Sequence, residues 1–233
     1  MIIVFWKPPL LENFDFIEPI KGLHDYARVV LVDLAKVRQA QVASFSKYLD
    51  SAEQERLENI AVAAKRHAFI VCRFIAKKLI GEFFELDPLA LSFQYTERGK
   101  PYVPVNGVEF NISHSGDFAL IGVSRHKIGV DIEKMKPNRN FKGLAAAVLS
   151  DDEKAWVFEQ DTRQRFYQLW TLKEARLKCD GEGIAGHFPA ATFDVNKGWG
   201  YDGYGINTNF IENEYICAVC LLENNIDVLT SEC

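Results

Sequence analysis

One order of elements occurs twice along this chain, and it restricts the fold more than any other feature: a short strand, a run of helices, then three strands. In the first pass Arg28-Val29-Val30-Leu31-Val32-Asp33-Leu34 is an apolar run of the kind found in an inner strand. Helix is expected over residues 37–49, and Ser51-Ala52-Glu53-Gln54 is a weak capping box opening a second helix. Residues 63–84 form a long helix, because Ala68, Cys72, Ile75, Leu79 and Phe83 recur at the helical period. Strands over 91–96, 108–112 and 118–123 complete the pass, the last two joined by the turn Ser113-His114-Ser115-Gly116-Asp117.

The second pass starts with the strand Ile128-Gly129-Val130-Asp131-Ile132-Glu133. A helix near 141–149 follows, then one that Ser150 caps with Glu153 three residues on, then a long helix over 162–179 stopped by Gly181 and Gly183. Strands over 191–195, 204–211 and 214–222 close the chain, and Val130-Asp131-Ile132 echoes Val32-Asp33-Leu34. The expected fold is α+β, with two similar lobes over residues 1–125 and 126–233 that meet near Ser124-Arg125-His126. A cleft between lobes is a preferred place for a ligand. Residues 1–26 are punctuated by proline and receive no element.

Composition excludes several classes. At 233 residues and 48% hydrophobic the chain can bury a substantial core, and no apolar run is long enough to cross a bilayer. Its start lacks the basic region and cleavage site of a signal peptide, so a cytoplasmic protein is expected. A net charge of −5 argues against general nucleic-acid binding. The five cysteines do not suggest a disulfide framework, and Cys217 and Cys220, three apart on a strand, face opposite ways and read as packing residues.

Alternation along a strand puts Asp131 and Glu133 on one face. Two carboxylates that close stay ionised only when water, a basic group or a cation offsets them. If Trp170-Thr171-Leu172-Lys173-Glu174-Ala175-Arg176-Leu177-Lys178 is helical, Trp170, Glu174 and Lys178 share a face and add a third carboxylate and a lysine. Oxygen-only ligands suit Mg²⁺, which commonly serves phosphoryl or pyrophosphate chemistry. Taken alone, Asp131 and Glu133 would be the polar face of an edge strand, and Glu174 with Lys178 a surface ion pair. Anion-binding groups are Lys100 in the turn Gly99-Lys100-Pro101, and Ser113 and His114 at a strand end. Arg66, Arg73 and Lys77 fall in one quadrant of their helix, where Arg73 and Lys77 read as an ordinary solvated basic face.

Four of these pieces, in this order, resemble the Sfp-type 4′-phosphopantetheinyl transferases: Gly99-Lys100-Pro101, Asn111-Ile112-Ser113-His114-Ser115, Gly129-Val130-Asp131-Ile132-Glu133, and Trp170-Thr171-Leu172-Lys173-Glu174-Ala175 ending at Lys178. The resemblance spans roughly residues 60–185. It implies a monomer of two similar lobes with coenzyme A in the cleft between them. It also implies transfer of the phosphopantetheine arm to a serine of an acyl or peptidyl carrier protein, with release of 3′,5′-ADP. Asp131, Glu133 and Glu174 would be the Mg²⁺ ligands, Lys178 and His114 would meet the phosphates, Ser113 and Lys100 would hold the nucleotide, and Arg66 would lie near its 3′-phosphate. The serine proton would go to Glu174 or to a water held by the ion. Lys134, Lys136 and Arg139 are the candidates for a basic carrier-docking patch, while Ala145-Ala146-Ala147-Val148 stands where such proteins often carry aromatics. Two other functions fit the same acidic residues, an Mg²⁺-dependent phosphodiesterase or pyrophosphatase and a carrier-binding relative without turnover.

Overall fold

The computed structural model describes residues 17–20, 27–181, 188–195 and 203–222. Its first half runs β1 (Ile17–Ile20), β2 (Ala27–Asp33), α1 (Gln39–Phe45), α2 (Ser51–Glu58), α3 (Ala63–Phe84), β3 (Gln94–Tyr95), β4 (Pro101–Tyr102), β5 (Glu109–Ser115) and β6 (Phe118–Ser124). The second runs β7 (Ile128–Lys134), α4 (Phe141–Val148), α5 (Asp151–Glu159), α6 (Thr162–Asp180), β8 (Tyr204–Ile211) and β9 (Tyr215–Leu222). Strand order is β1-β2-β6-β5 in one sheet and β7-β9-β8 in a second, and β3 pairs with β4 in a separate two-stranded ribbon. In both halves, then, the strand that precedes the helices lies antiparallel to the second strand of the closing hairpin.

The burial pattern stacks these elements in layers. Val30, Val32, Ile121 and Val123 face a core filled by Val71, Ile75 and Leu79 of α3. The other face of the same sheet, with Val29, Leu31 and Leu120, meets Val130, Ile132 and Val219 of the second sheet. Beyond that sheet lie Phe166, Leu169 and Leu172 of α6. Cys217 belongs to the inter-sheet core and Cys220 to the α6 core, so the two thiols do face opposite ways. Burial pushes the Cys217 thiol up to about 12, which keeps it protonated and inert.

Between the sheets, β5 and β7 run side by side without a backbone ladder. Asn111 Oδ1 accepts from Val130 N, Ser113 Oγ from Ile132 N and Ser115 Oγ from Lys134 N. Alternate polar side chains of β5 thereby satisfy the amides that β7 turns toward it, and the lobes are held in register.

A buried ion pair is repeated at the same place in each half. Lys77 of α3 donates to the carbonyl of Tyr48 and pairs with Glu53 at 2.7 Å. Lys173 of α6 donates to the carbonyl of Val148 and pairs with Glu153 at 2.8 Å. Both glutamates also close a capping box, Asp50 with Glu53 and Ser150 with Glu153. The sequence echo of Val32-Asp33-Leu34 and Val130-Asp131-Ile132 is not part of this correspondence. Each hairpin's second strand begins at Phe118 or Tyr215, which pair with Asp33 and Lys134, so Asp33 corresponds to Lys134, three residues beyond its echo at Asp131.

Several expectations are corrected. Lys77 is fully buried and Arg73 nearly so, both around Glu53, so neither is a solvated basic face. The α2 cap is Asp50 rather than Ser51. Ser113, His114 and Ser115 belong to β5, and Gly116 and Asp117 alone make the turn. No strand forms over 191–195, and the one expected over 91–96 shrinks to β3. In each, the alternating apolar residues, Leu91 and Phe93 or Ala191 and Phe193, are buried from irregular backbone. Gly181 ends α6 in the left-handed conformation, as expected of it; Gly183 and residues 1–16 lie outside the described residues. Among the described residues no helix is long and apolar enough to cross a membrane.

Candidate active site

The site forms where β5, β7 and α6 converge. Gly129 makes that possible, since a Cβ there would lie 1.9 Å from the carbonyl oxygen of Ala175. With no side chain, β7 lies directly on the backbone of α6, and residues two and four further along the strand reach the helix side chains. Asp131, Glu133 and Glu174 each place a carboxylate oxygen within 4.8 Å of the others. Asp131 is 2% exposed and Glu174 8%, so neither is part of a solvated polar face.

Lys178 is the counter-ion. Its Nζ lies 2.5 Å from Asp131 Oδ1, 3.4 Å from Glu174 Oε2 and 3.1 Å from Ser113 Oγ. Three carboxylates against one ammonium leave a net charge of −2 when all are ionised. Asp131 Oδ2 is buried and accepts no hydrogen bond. An orphaned carboxylate oxygen inside an oxygen-only cluster of that charge fits a hard divalent cation such as Mg²⁺. Trp170 is not part of this cluster: its ring packs on Phe166 and Phe188.

Two hollows that share Pro101 and Ile112 open beside the cluster. One, of about 270 Å³, is lined by Lys100, Asn111 and Lys178; the other, of about 380 Å³, by Lys65, Phe69, Arg73 and His114. Apolar walls with a few basic groups suit a nucleotide. Arg66 lines neither, because its guanidinium donates to the carbonyl of Leu57 and braces the turn between α2 and α3. Lys65, its neighbour in sequence, lines the larger hollow instead. The signal was available, since Lys65, Phe69, Cys72 and Arg73 lie on one helical face. Lys100 Nζ donates to the Lys178 carbonyl at 2.8 Å, near the end of α6, where the helix dipole favours a cation. Ser113 points toward Asp131 and His114 toward the larger hollow, so neighbours in sequence serve opposite sides of β5.

Comparison with known proteins agrees with this geometry. Residues 36–126 match the family described as 4′-phosphopantetheinyl transferase, N-terminal, and residues 127–220 match the 4′-phosphopantetheinyl transferase superfamily. A 4′-phosphopantetheinyl transferase of Bacillus subtilis is 31% identical over 198 residues, covering 74% of this chain and 87% of that protein. The chain belongs to the 4′-phosphopantetheinyl transferase family. The 4′-phosphopantetheinyl transferase HetI of Nostoc is 30% identical, covering 63% of this chain and 65% of its own. The transferase Sfp of Bacillus subtilis is 27% identical, over 67% and 70%. Neither the hydrolase nor the non-catalytic reading gains support from these relatives.

In this transferase the electrostatics of the cluster are set by burial. It raises the Asp131 carboxyl above its ordinary range, against the pull of Lys178 and Ser113. Burial and then Asp131 raise Glu133. Glu174 is pushed up to about 7 by burial first and by the Asp131 charge next, with Lys178 opposing. Burial alone would lower Lys178, but Asp131 and Glu174 outweigh it and hold the ammonium charged. His114 is lowered by burial, then by the Lys178 and Lys65 charges.

A pH dependence follows for the metal-free protein. The folded state holds the Glu174 proton more tightly than the unfolded state does, so that proton's stabilisation is full below 4.5 and is lost as pH rises through about 7. His114 acts in the opposite sense, its contribution being lost as pH falls through its folded value below 6.5. Comparison with Glu174→Gln cancels the His114 effect. In chelator-treated protein, wild type should lose melting temperature relative to Glu174→Gln as pH rises from about 4.5 to about 7. Parallel melting curves across that window would show that Glu174 is not held protonated.

Proposed function

We propose that this transferase moves the 4′-phosphopantetheine arm of coenzyme A onto a serine of an acyl or peptidyl carrier protein. The serine oxygen forms the new bond to the phosphorus that carries the arm. The bond to the bridging oxygen of the pyrophosphate breaks, and 3′,5′-ADP departs with the electron pair. The observation that carries the reading is the convergence of Asp131, Glu133, Glu174 and Lys178 beside the two basic hollows in a chain of this family.

Asp131, Glu133 and Glu174 would hold Mg²⁺, which supplies charge neutralisation on the pyrophosphate when bound. Lys178, already charged and fixed by Asp131 and Ser113, meets the departing phosphate. His114 and Lys65 face the larger hollow and suit a phosphate of the nucleotide. Lys100 braces the end of α6 and so fixes where Lys178 stands. Glu174 is the carboxylate offered to the serine proton. Both halves of one chain contribute to the site, so a monomer is sufficient for catalysis. Cys72, Cys179, Cys217 and Cys220 are free and buried, consistent with a reducing compartment such as the cytoplasm.

The test is intact-mass measurement of a panel of unmodified acyl and peptidyl carriers after incubation with the purified chain, coenzyme A and Mg²⁺. Carriers that gain one phosphopantetheine, only when all components are present, are the expected result. Unchanged masses across the panel would remove the reading.

A further inference from the structure

The serines of β5 have little capacity left for a ligand. Ser113 Oγ donates to Asp131 Oδ1 at 2.8 Å and accepts from Lys178 Nζ at 3.1 Å and Ile132 N at 3.4 Å. One hydrogen and two lone pairs are all that a hydroxyl has, so Ser113 is saturated. Ser115 Oγ donates to Glu133 Oε2 at 3.1 Å and accepts from Lys134 N at 3.0 Å. The pattern is the same both times: each serine accepts from one β7 amide and donates to the carboxylate of the residue before it. Asn111 makes the amide contact alone, at 2.9 Å to Val130 N, because the preceding residue on β7 is Gly129.

We propose that Ser113 and Ser115 are positioning residues for the divalent-ion site, fixing the carboxylates of Asp131 and Glu133. This rests on the assignment of those carboxylates to the ion. An ionised carboxylate only accepts hydrogen bonds, so a hydroxyl that accepts from a backbone amide, and at Ser113 from Lys178 as well, presents its hydrogen to the carboxylate in a restricted direction. At Asp131 the consequence is visible: Ser113 and Lys178 both take Oδ1, and Oδ2 is left buried and free. Groups that orient a metal ligand in this way typically contribute about 10- to 100-fold to metal affinity.

The experiment is a Mn²⁺ titration followed by the electron paramagnetic resonance of the free ion, at saturating coenzyme A, with KM for coenzyme A measured at saturating ion and melting curves on every variant. Wild type should bind the ion and Asp131→Asn should not; failure there removes the metal assignment itself. Given that result, Ser113→Ala and Ser115→Ala should each weaken Mn²⁺ binding about 10- to 100-fold, with KM for coenzyme A unchanged in Ser115→Ala. Ser113→Thr and Ser115→Thr, which keep the hydroxyl on a strand that tolerates β-branching, should restore binding. Asn111→Ala should lower the melting temperature without weakening Mn²⁺ binding. A raised KM with unchanged Mn²⁺ affinity in Ser113→Ala would return that serine to the nucleotide. Equal weakening by Asn111→Ala would reduce the serines to lobe contacts. Should Ser113→Ala fail to fold, the comparison of Ser115→Ala with Ser115→Thr decides the matter.

Discussion

Asp131→Asn is expected to lower turnover about 10³-fold in a protein that remains folded, the scale on which one preorganised electrostatic group contributes to a charged transition state. Charge is the reason. With all groups ionised, the cluster around Lys178 carries −2, and asparagine halves that attraction for a divalent ion while keeping the shape of the side chain. It also replaces the buried oxygen Oδ2, which accepts nothing from the protein, with a donor. Lys178 retains Glu174 at 3.4 Å and Ser113 at 3.1 Å, so the ammonium is not stranded. The melting temperature should therefore change much less than the turnover. Rates at saturating coenzyme A and rising Mg²⁺ check this, with Lys154→Ala on the exposed face of α5 as the comparison. An Asp131→Asn enzyme near wild-type turnover would exclude Asp131 from the ion site.

Much of this site was legible because its residues obey local periodicities. Asp131 and Glu133 are alternate residues of a strand, and Glu174 and Lys178 are one turn apart on a helix, so spacing alone put them on common faces. The repeated element order likewise carries the two sheets, since each half solves the same packing problem. What spacing could not show was the partner that changes a residue's meaning. Arg73 and Lys77 sit at positions that look solvated until Glu53, on another helix, is brought between them. Ser113, His114 and Ser115 read as a turn, yet they stay extended because they pair with Leu120, Ala119 and Phe118 of β6, and the two serine hydroxyls satisfy β7 amides besides. Leu91, Phe93, Ala191 and Phe193 alternate as a strand would, but burial of the side chains was what the pattern recorded, not pairing of the backbone. Lys65 lay on the same helical face as Arg73, one residue before the arginine that its charge and the resemblance had favoured.

The same buried pairs support the second large expectation, which concerns stability. Glu53→Ala and Glu153→Ala should each cost ~3–5 kcal/mol, as expected when one partner of a buried ion pair is removed and the other is left uncompensated. Against a typical total of about 5–15 kcal/mol, either loss is severe. Glu53 neutralises Lys77 at 2.7 Å and Arg73 at 3.2 Å, and its carboxylate accepts the Asp50 amide at the start of α2. Glu153 neutralises Lys173 at 2.8 Å and accepts the amides of Ser150 and Phe193. Alanine thus opens a helix cap in both cases, leaving Lys173 only backbone carbonyls and Lys77 only the more distant Asp50 carboxylate, at 3.9 Å, as an anion. Removing both charges should hurt less than removing one, because the desolvation of the remaining ion is what costs most. Glu153→Leu combined with Lys173→Met should therefore recover part of the loss, limited by the carbonyls of Val148 and Phe188 that Lys173 no longer satisfies. Urea denaturation of the single and double variants measures both effects. Single losses of only about 1 kcal/mol, the scale of exposed pairs, would mean that water reaches these glutamates in solution.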